Sequence, residues 1–417
     1  MRVRDLKGGA MFLFARVKGV PFAQGKNREP GAKAHSCACR KIPSGILPEG
    51  KAQFPVKYLE TCLKAGFFVI IFIMLNQKLV MAACKAKRVL NLADCKTASS
   101  ILIRPVGPAL GDAVMATGYL SQLKQALPHA KIGIVIEARN KDLFTNTPFN
   151  THLITDSLLS AWKNRHQWDV FLDFSTTFST RRILFAELLD PKMAITVEKP
   201  PKGSYTMASV HSFDLYCPIN PKIHFRNWLE LTPYQFAAQF PAQYQLNPPK
   251  VNKHPVPDNK TCILVCPQGS TRALNPVALA QAIAKADNGN LVFRFLNLPP
   301  DSPYLAALNQ YAPHACIQNI ASHTVEDFLA NVFFADAVFS IDTASVHIAC
   351  AYHKKLTALY ANYPLNLWQA APILSDDTEW VIPNEPAQSG SDFSAYTQQL
   401  LLNALQRLIQ RTQAEQP

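Results

Sequence analysis

A strand, a turn, a helix and a second strand follow one another in residues 335–360, whose sequence reads ADAVFSIDTASVHIACAYHKKLTALY. Ala337–Ile341 is a short apolar run, which is typical of a buried parallel strand. An Asp-Thr pair, two residue types that favour helix N-termini, ends this run. Helical spacing of apolar residues resumes over residues 345–352, and residues 356–360 form a second apolar run. This order predicts a parallel β/α unit.

The turn of this unit predicts an anion-binding site. A helix that begins where a parallel strand ends directs unpaired backbone N–H groups into the crevice at the carboxyl edge of the sheet, where a phosphate binds readily. Thr343 and Ser345 can add hydroxyl donors, and His347 lies about one turn inside the helix.

A second strand, loop and helix lie in the first half of the chain. Ser100–Arg104 is an apolar run, residues 105–111 (PVGPALG) form a Gly/Pro loop, and Asp112 opens a helix predicted to extend to residue 127. Each half therefore offers polar groups at the carboxyl end of a strand. The sequence predicts two α/β domains that face each other across a cleft.

Strands and helices are predicted to alternate in both halves, which indicates parallel sheets with helices on both faces. In the first half the predicted strands are Ser100–Arg104, Lys131–Ile136, His152–Thr155, Val170–Asp173 and Met193–Val197, and the helices are residues 112–127, 157–164 and 179–189. In the second half the strands are residues 262–266, 291–297, 315–318, 337–341 and 356–360. The helices there are residues 275–286, 303–311, one beginning at Thr324, 345–352 and 393–411.

The 417 residues divide into five predicted segments. These are a poorly structured basic extension (1–73), an N-terminal Rossmann-like domain (74–244), a linker with four prolines (245–258), a C-terminal Rossmann-like domain (259–390) and a closing helix (391–417).

The extension differs from the rest of the chain in composition. Residues 1–73 carry 13 Lys or Arg against 4 Asp or Glu, whereas residues 74–417 carry 29 against 25, so most of the net charge of +13 lies in the extension. Its last part, residues 65–75 (AGFFVIIFIML), is apolar but too short to span a bilayer comfortably. Three interpretations stay open: an interfacial anchor, a core element, or translated upstream sequence outside the working protein. The last is favoured, with Met74 and Met81 as candidate starts.

The charge pattern argues against a nucleic-acid partner, and the cysteine pattern argues against disulfide bonds and a metal site. The sequence shows neither a basic folded face nor a reading motif, so no nucleic-acid partner is expected, and the small remaining positive charge fits phosphorylated small molecules or an anionic membrane surface. The ten cysteines have no short-spaced framework, and Cys262, Cys266 and Cys350 fall in apolar runs, so reduced thiols are expected. The HSCAC motif at residues 35–39 lacks a second ligand pair and does not predict a metal site.

Three groups of polar residues are candidates for chemistry, and each has a structural alternative. Asp112 is a general base for an attacking hydroxyl, or a carboxylate that only caps its helix. Residues 269–272 (GSTR) let an anion approach the backbone while Arg272 grips phosphate oxygens, or they form an ordinary βα loop. Asp342 binds sugar hydroxyls or orders its loop, and His347 faces a ligand or is a buried, hydrogen-bonded helix histidine.

Three stretches of the sequence resemble glycosyltransferase family 9, the ADP-heptose:lipopolysaccharide heptosyltransferases. ILIRPVGPALGDAV resembles the family's opening strand, loop, Gly-Asp and helix, and ILVCPQGSTRALNPVALAQAI is similar to the start of its second domain. FFADAVFSIDTASVHIACAYHKKLTALY is similar to its D-T-x-x-x-H-x-A segment, the most specific of the three. Together they span about residues 98–410, and nothing in residues 1–73 resembles the family.

The resemblance implies a GT-B fold of two Rossmann-like, doubly wound parallel-sheet domains, with the acceptor in the first and the donor in the second. It also implies an inverting hexosyl or heptosyl transfer that needs neither metal nor cofactor, with Asp112 as the base and Arg272 neutralising the leaving diphosphate. The donor-binding residues would be Gly269, Ser270, Thr271, Arg272, Asp342, Thr343, Ala344, Ser345 and His347.

The function implied is transfer of a heptose from ADP-heptose to a hydroxyl of the lipopolysaccharide inner core. Its partners would be a nucleotide sugar and a lipid-linked oligosaccharide acceptor, and the protein would be cytoplasmic and peripheral at the inner face of the inner membrane. Two alternatives stay open: the same chemistry with another nucleotide sugar, and a catalytically inactive sugar-nucleotide-binding protein.

Three departures from the family pattern bear on the donor. Ala344 takes the place of the glycine that usually follows Asp-Thr. Residues 297–300 (NLPP) replace a Gly-rich turn, and residues 361–362 (Ala-Asn) replace a Gly-Pro pair. These changes are expected to reduce the space near the nucleotide, and they bear on the identity of the donor more than on the type of reaction.

Overall fold

The computed structural model describes residues 77–84, 91–251, 254–257 and 260–414. These residues belong to one compact unit, Ala52–Pro417. The predictions for residues 1–73, including the apolar stretch and the HSCAC motif, fall outside the described residues.

Twelve strands in the described part of the chain form two sheets of six. The first sheet contains β1 (Ser100–Arg104), β2 (Lys131–Ile136), β3 (His152–Thr155), β4 (Val170–Asp173), β5 (Met193–Val197) and β6 (Leu215–Cys217). The second contains β7 (Thr261–Cys266), β8 (Leu291–Leu296), β9 (Ile317–Ile320), β10 (Ala337–Ile341), β11 (Lys355–Leu359) and β12 (Thr378–Val381). Neighbouring strands pair in parallel in both sheets.

Helices connect the strands. They are α1 (Gln77–Ala83), α2 (Leu110–Ala126), α3 (Lys141–Thr145), α4 (Leu158–Lys163), α5 (Thr180–Leu189), α6 (Pro276–Ala286), α7 (Pro303–Tyr311), α8 (Val325–Phe333), α9 (Ala344–Ala351), α10 (Pro364–Gln369) and α11 (Gln398–Gln413). Three 3-10 helices, Leu92–Thr97, Phe225–Leu231 and Ala237–Gln239, lie in the first half.

The strand orders place the loops that carry the predicted site residues. The orders are β3-β2-β1-β4-β5-β6 and β12-β11-β10-β7-β8-β9. The strand order therefore reverses between β1 and β4 in the first sheet and between β7 and β10 in the second. Ligands of open α/β sheets bind outside the carboxyl ends of the strands at such a reversal. The segments that leave β1, β7 and β10 there are the three that carry the predicted site residues. The predicted architecture, two Rossmann-like parallel sheets of the GT-B type, is confirmed.

Local capping sets several helix ends where the sequence predicted them. Asn275 accepts a hydrogen bond from the N–H of Ala278 at 3.0 Å, and a proline begins α6. Thr324 and Asp327 form a capping box at the start of α8, where the sequence predicted a helix to begin. The closing helix begins later than predicted, at Gln398 instead of residue 393, because Thr397 caps it.

The two halves share a core. The largest cluster of buried apolar side chains includes Val114 and Leu120 of α2 together with Val346 and Ile348 of α9. One apolar core therefore joins helices of both halves. The predicted boundaries at residues 245–258 and 391 stay predictions.

Candidate active site

Nine of the ten predicted site residues line one cavity of about 340 Å³ between the carboxyl edges of the two sheets. They are Asp112, Gly269, Ser270, Thr271, Arg272, Asp342, Thr343, Ala344 and His347. The tenth, Ser345, lines an adjacent cavity of about 460 Å³, which shares Leu110, Gly269, Thr343 and Ala344 with the first. Residues far apart in sequence thus converge as the two β/α units predicted.

Asp112 lies inside its helix. α2 begins at Leu110, two residues before the predicted start, so Asp112 is the third residue of the helix and its Oδ2 accepts a hydrogen bond from the N–H of Ala109 at 3.3 Å. Burial raises the pKa of Asp112 above the usual value, although the hydrogen bond from Ala109 opposes this. A raised pKa makes a carboxylate a stronger base. The capping contact and a basic carboxylate therefore coexist at this position.

Two glycines allow close approaches around Asp112. A Cβ atom on Gly107 would lie 2.2 Å from Asp112 Oδ2, so the loop admits no side chain where the carboxylate sits. A Cβ atom on Gly111 would lie 3.3 Å from His347 Cδ2 and 3.6 Å from the Cα atom of Ala344. The first turns of α2 and α9 are consequently in contact across the cleft.

Arg272 is held by the turn that follows β10. Its Nη1 donates to the backbone oxygen of Asp342 at 2.6 Å and lies 3.1 Å from Asp342 Oδ2, while its Nε donates to the oxygen of Gly390 at 3.0 Å. Nη2 takes no part in these contacts, and the side chain remains 29% exposed at the cavity. The guanidinium is thus fixed in direction and still accessible to a ligand.

Asp342 acts here as a supporting carboxylate. It is only 4% exposed, and its Oδ2 also accepts a hydrogen bond from Asn366 Nδ2 at 2.6 Å. Burial raises the pKa of Asp342 to about 6, against the attraction of Arg272 and the hydrogen bond from Asn366. Of the two sequence interpretations, this geometry favours ordering of the loop over direct binding of sugar hydroxyls.

The N-terminus of α9 has no side-chain cap. The Thr343 hydroxyl donates to the oxygen of Ile341 at 3.2 Å and lies 2.6 Å from the Ser345 hydroxyl, so it does not cap the helix. Backbone N–H groups in the first turn of a helix are the donors that bind phosphate in other α/β proteins. Gly269 lets the loop that follows β7 pack against this turn, because a Cβ atom on residue 269 would lie 2.8 Å from Thr343 Cγ2.

His347 is buried and incompletely bonded. It is 3% exposed, its ring meets Tyr244 edge-on at 5.8 Å, and its Nδ1 has no hydrogen-bond partner in the structure. Burial, reinforced by the charges of Arg226 and Arg272, lowers the pKa of His347 to about 3. The ring is therefore neutral near pH 7, and its unpartnered nitrogen is available to a ligand that reaches it.

The adjacent cavity lies at the carboxyl ends of β7 and β8 and is lined partly by apolar side chains. Asn297, in the segment that replaces the expected Gly-rich turn, adopts a left-handed conformation with φ of 52°. It accepts a hydrogen bond from the N–H of Ser322 at 2.8 Å and so ties together two loops of the cavity wall. Asn297 and Leu298 of this segment therefore line a cavity of about 460 Å³ that lies beside the first turn of α9.

The sequence did not single out five residues that line this candidate active-site cavity: Met115, Phe225, Leu365, Asn366 and Ala370. Phe225 belongs to an irregular segment rich in aromatic and basic residues, a composition that could have signalled it. No comparable signal in the sequence marks Asn366, because only the folded chain brings it to Asp342, 24 residues away. Among the described residues, no cluster of three His, Cys, Asp or Glu side chains offers a metal site.

Solved structures of other proteins share this fold. A glycosyl transferase of family 9 from Veillonella parvula aligns with a TM-score of 0.58 and 12% identity, covering 75% of this chain and 97% of its own. The Escherichia coli ADP-heptose lipopolysaccharide heptosyltransferase II aligns with a TM-score of 0.58 and 15% identity, covering 75% and 99%. The E. coli heptosyltransferase WaaC with ADP aligns with a TM-score of 0.55 and 13% identity over the same shares. The fold is the one these proteins have.

The likeness is one of structure. No family model matches the sequence, and no curated protein matches it. The resemblance to glycosyltransferase family 9 is thus supported at the level of the fold. In the described part of the chain, no helix combines the length and the apolar character needed to cross a membrane.

Proposed function

We propose that the protein is an inverting glycosyltransferase that moves a heptose from ADP-heptose to a hydroxyl of the lipopolysaccharide inner core. The observation that carries the proposal is the single cavity in which Asp112 faces the uncapped N-terminus of α9 and the anchored guanidinium of Arg272. A base on one side and an anion-binding turn on the other are what attack on a nucleotide sugar requires.

Each part of the site has a role in this reaction. Asp112 takes the proton from the acceptor hydroxyl while the hydroxyl oxygen attacks the anomeric carbon of the donor sugar. The bond from that carbon to the diphosphate breaks. The electrons of the broken bond go to the diphosphate, whose negative charge is met by Arg272 and the N–H groups of α9. Asp342 keeps Arg272 aimed, because its backbone oxygen and its carboxylate both contact Nη1 of the guanidinium.

The donor is assigned to the second half of the protein and the acceptor to the first. Gly269, Ser270, Thr271, Thr343 and Ala344 surround the diphosphate, Ser345 extends into the adjacent cavity, and His347 Nδ1 gains the partner that it lacks. ADP-heptose is favoured because solved structures with this fold include heptosyltransferases, one of them with ADP. No metal or cofactor enters the mechanism.

The acceptor is proposed to be a lipid-linked oligosaccharide presented at the cytoplasmic face of the inner membrane, where the protein would be peripheral. The two alternatives are the same reaction with another nucleotide sugar, and a binding protein without turnover. The presence of Asp112 favours an enzyme over a binding protein.

Asp112→Asn tests the proposal, because Asn still accepts the hydrogen bond from Ala109 and removes only the basicity. Turnover with ADP-heptose and a lipid-linked acceptor should fall by about 10²–10⁴-fold with donor affinity little changed. The activity of the wild type should rise with pH through a pKa above that of an ordinary Asp, and the variant should lose this acidic limb.

The alternatives predict other results. If the wild type turns over a different nucleotide sugar and not ADP-heptose, that other nucleotide sugar is the donor. Binding of donor without any transfer would favour the inactive binding protein. Mass spectrometry of the core oligosaccharide from a deletion strain would identify the missing sugar.

A further inference from the structure

His224 forms a hydrogen bond with both of its ring nitrogens. Its Nδ1 accepts from the backbone N–H of Arg226 at 3.0 Å, and its Nε2 lies 2.6 Å from the backbone oxygen of Ala371. Because a carbonyl oxygen only accepts, Nε2 must carry the hydrogen, and Nδ1 is then the unprotonated nitrogen that accepts. The two bonds together select one neutral tautomer.

The two bonds attach to different halves of the protein. His224 is the N-cap of the 3-10 helix Phe225–Leu231, which packs on α2: a Cβ atom on Gly118 would lie 3.2 Å from the Cβ atom of Arg226. The same 3-10 helix is held by Trp228, which is fully buried and meets Phe174 at 6.1 Å. This side of the contact belongs to the first half.

The other side of the contact belongs to the second half. Ala371 comes shortly after α10, and the neighbouring Ala370 accepts a hydrogen bond from the Tyr360 hydroxyl at 2.7 Å. Tyr360 follows β11 and is fully buried. The bond from His224 to Ala371 therefore joins two anchored segments across the halves.

This crossbridge lies directly behind the active-site cavity. Phe225, next to His224, and Ala370, next to Ala371, both line that cavity. His224 itself does not line it. The hydrogen bond therefore joins the neighbours of two wall residues, one from each half.

We propose that His224 is a positioning residue whose bond to Ala371 holds the half that carries Asp112 at reaction distance from the half that binds the donor. This role rests on the proposed transferase function. Burial, together with the charge of Arg226, lowers the pKa of His224 well below its usual value, which keeps the bonded neutral tautomer in place near pH 7.

Two substitutions separate the two bonds of His224. In His224→Asn the side-chain oxygen stands where Nδ1 stood, so it still accepts from Arg226, but the side chain is too short to reach Ala371. In His224→Gln the amide nitrogen reaches towards Ala371, whereas the N-cap is lost. His211→Asn is the control, because the ring of His211 forms a hydrogen bond within its own half, with the nearby oxygen of Ala208 at 3.0 Å.

Donor affinity, kcat and acceptor KM are measured for all three variants. His224→Asn should lower kcat about five- to thirtyfold, the range expected when a buried hydrogen bond is removed from the reactive arrangement, with donor affinity within about twofold. His224→Gln should keep kcat within about threefold of the wild type, and His211→Asn should match it. Normal kcat in His224→Asn, or an equal loss in His224→Gln, would overturn the proposal, as would a large loss of donor affinity.

A second measurement does not depend on turnover. Fluorescent labels on unnatural amino acids at positions 159 and 277, where Leu159 and Val277 are exposed on the two halves, report the distance across the cleft by energy transfer. His224→Asn should lengthen or broaden this distance, and His224→Gln should not. Identical distances in all variants would refute the crossbridge even if the wild type proved active. A lengthened distance in a protein without transferase activity would instead refute the proposed function alone.

Discussion

Gly107→Ala is predicted to disable the reaction by displacing one carboxylate. A Cβ atom at this position would lie 2.2 Å from Asp112 Oδ2, whereas a carbon and an oxygen in contact stay about 3.3 Å apart. The carboxylate must therefore move by about 1 Å or change its rotamer. Gly107 is not among the glycines with positive φ, so alanine fits the backbone and the effect falls on Asp112.

The size of the effect follows from that displacement. A misplacement of about 1 Å of a reacting group costs on the order of 10²-fold in rate. We therefore expect kcat to fall about 10²-fold. Donor affinity should change by less than about twofold, because Arg272 and the first turn of α9 lie in the other half and keep their contacts.

The assay is single-turnover transfer with saturating donor, combined with direct measurement of donor binding. The control is the double variant Gly107→Ala, Asp112→Asn. If the methyl group acts only through the carboxylate, the double variant transfers no more slowly than Asp112→Asn alone. Near-normal turnover of Gly107→Ala, or a double variant far slower than Asp112→Asn, would refute the reasoning.

Three further predictions concern the anion site, the N-terminal region and acid stability. Arg272→Ala should lower transfer about 10- to 10³-fold and Arg272→Lys less, whereas activity should survive EDTA; abolition by chelator and recovery with Mg²⁺ would contradict the absence of a metal step. A protein shortened to begin at Met74 should be as stable and active as the full chain. One that begins at Met81 should unfold at a lower temperature, because it loses the fully buried side chain of Val80. Equal melting temperatures of the two shortened proteins would argue against this packing. The pKa of His347, about 3 in the folded state, lies below the usual 6.5, so the unfolded chain binds the extra proton and stability falls as pH drops from 6.5 towards 3. His347→Gln should reduce this dependence by up to about 1.4 kcal/mol per pH unit, measured by urea unfolding at several pH values, and parallel curves for variant and wild type would contradict it.

Local signals carried most of the secondary structure. The five predicted strands of the first half and β10 have the predicted bounds, because apolar runs of four to six residues between turn residues indicate buried parallel strands. Asn275 and Thr324 marked helix starts because a cap acts within three residues of sequence. The pattern missed β6 and β12, each three or four residues long at the edge of its sheet, where alternation is too short to register.

The sequence also indicated which loops would converge on one cavity. Asp112, the segment that includes Arg272, and the Asp-Thr turn each follow a strand, and parallel strands end at a common edge. The order of elements was therefore sufficient to bring these residues towards one cleft. It was not sufficient to place Ser345, whose hydroxyl bonds to Thr343 and faces the adjacent cavity.

Only the tertiary structure decided what each of these groups can do. Asp342 became a support for Arg272 because Asn366, which lies 24 residues away, supplies its second bond. Asp112 kept its space because Gly107 has no side chain, and His347 is neutral because other elements bury it beside two arginines. Burial and partners brought by distant segments set pKa values and orientation, and no pattern in the local sequence records them.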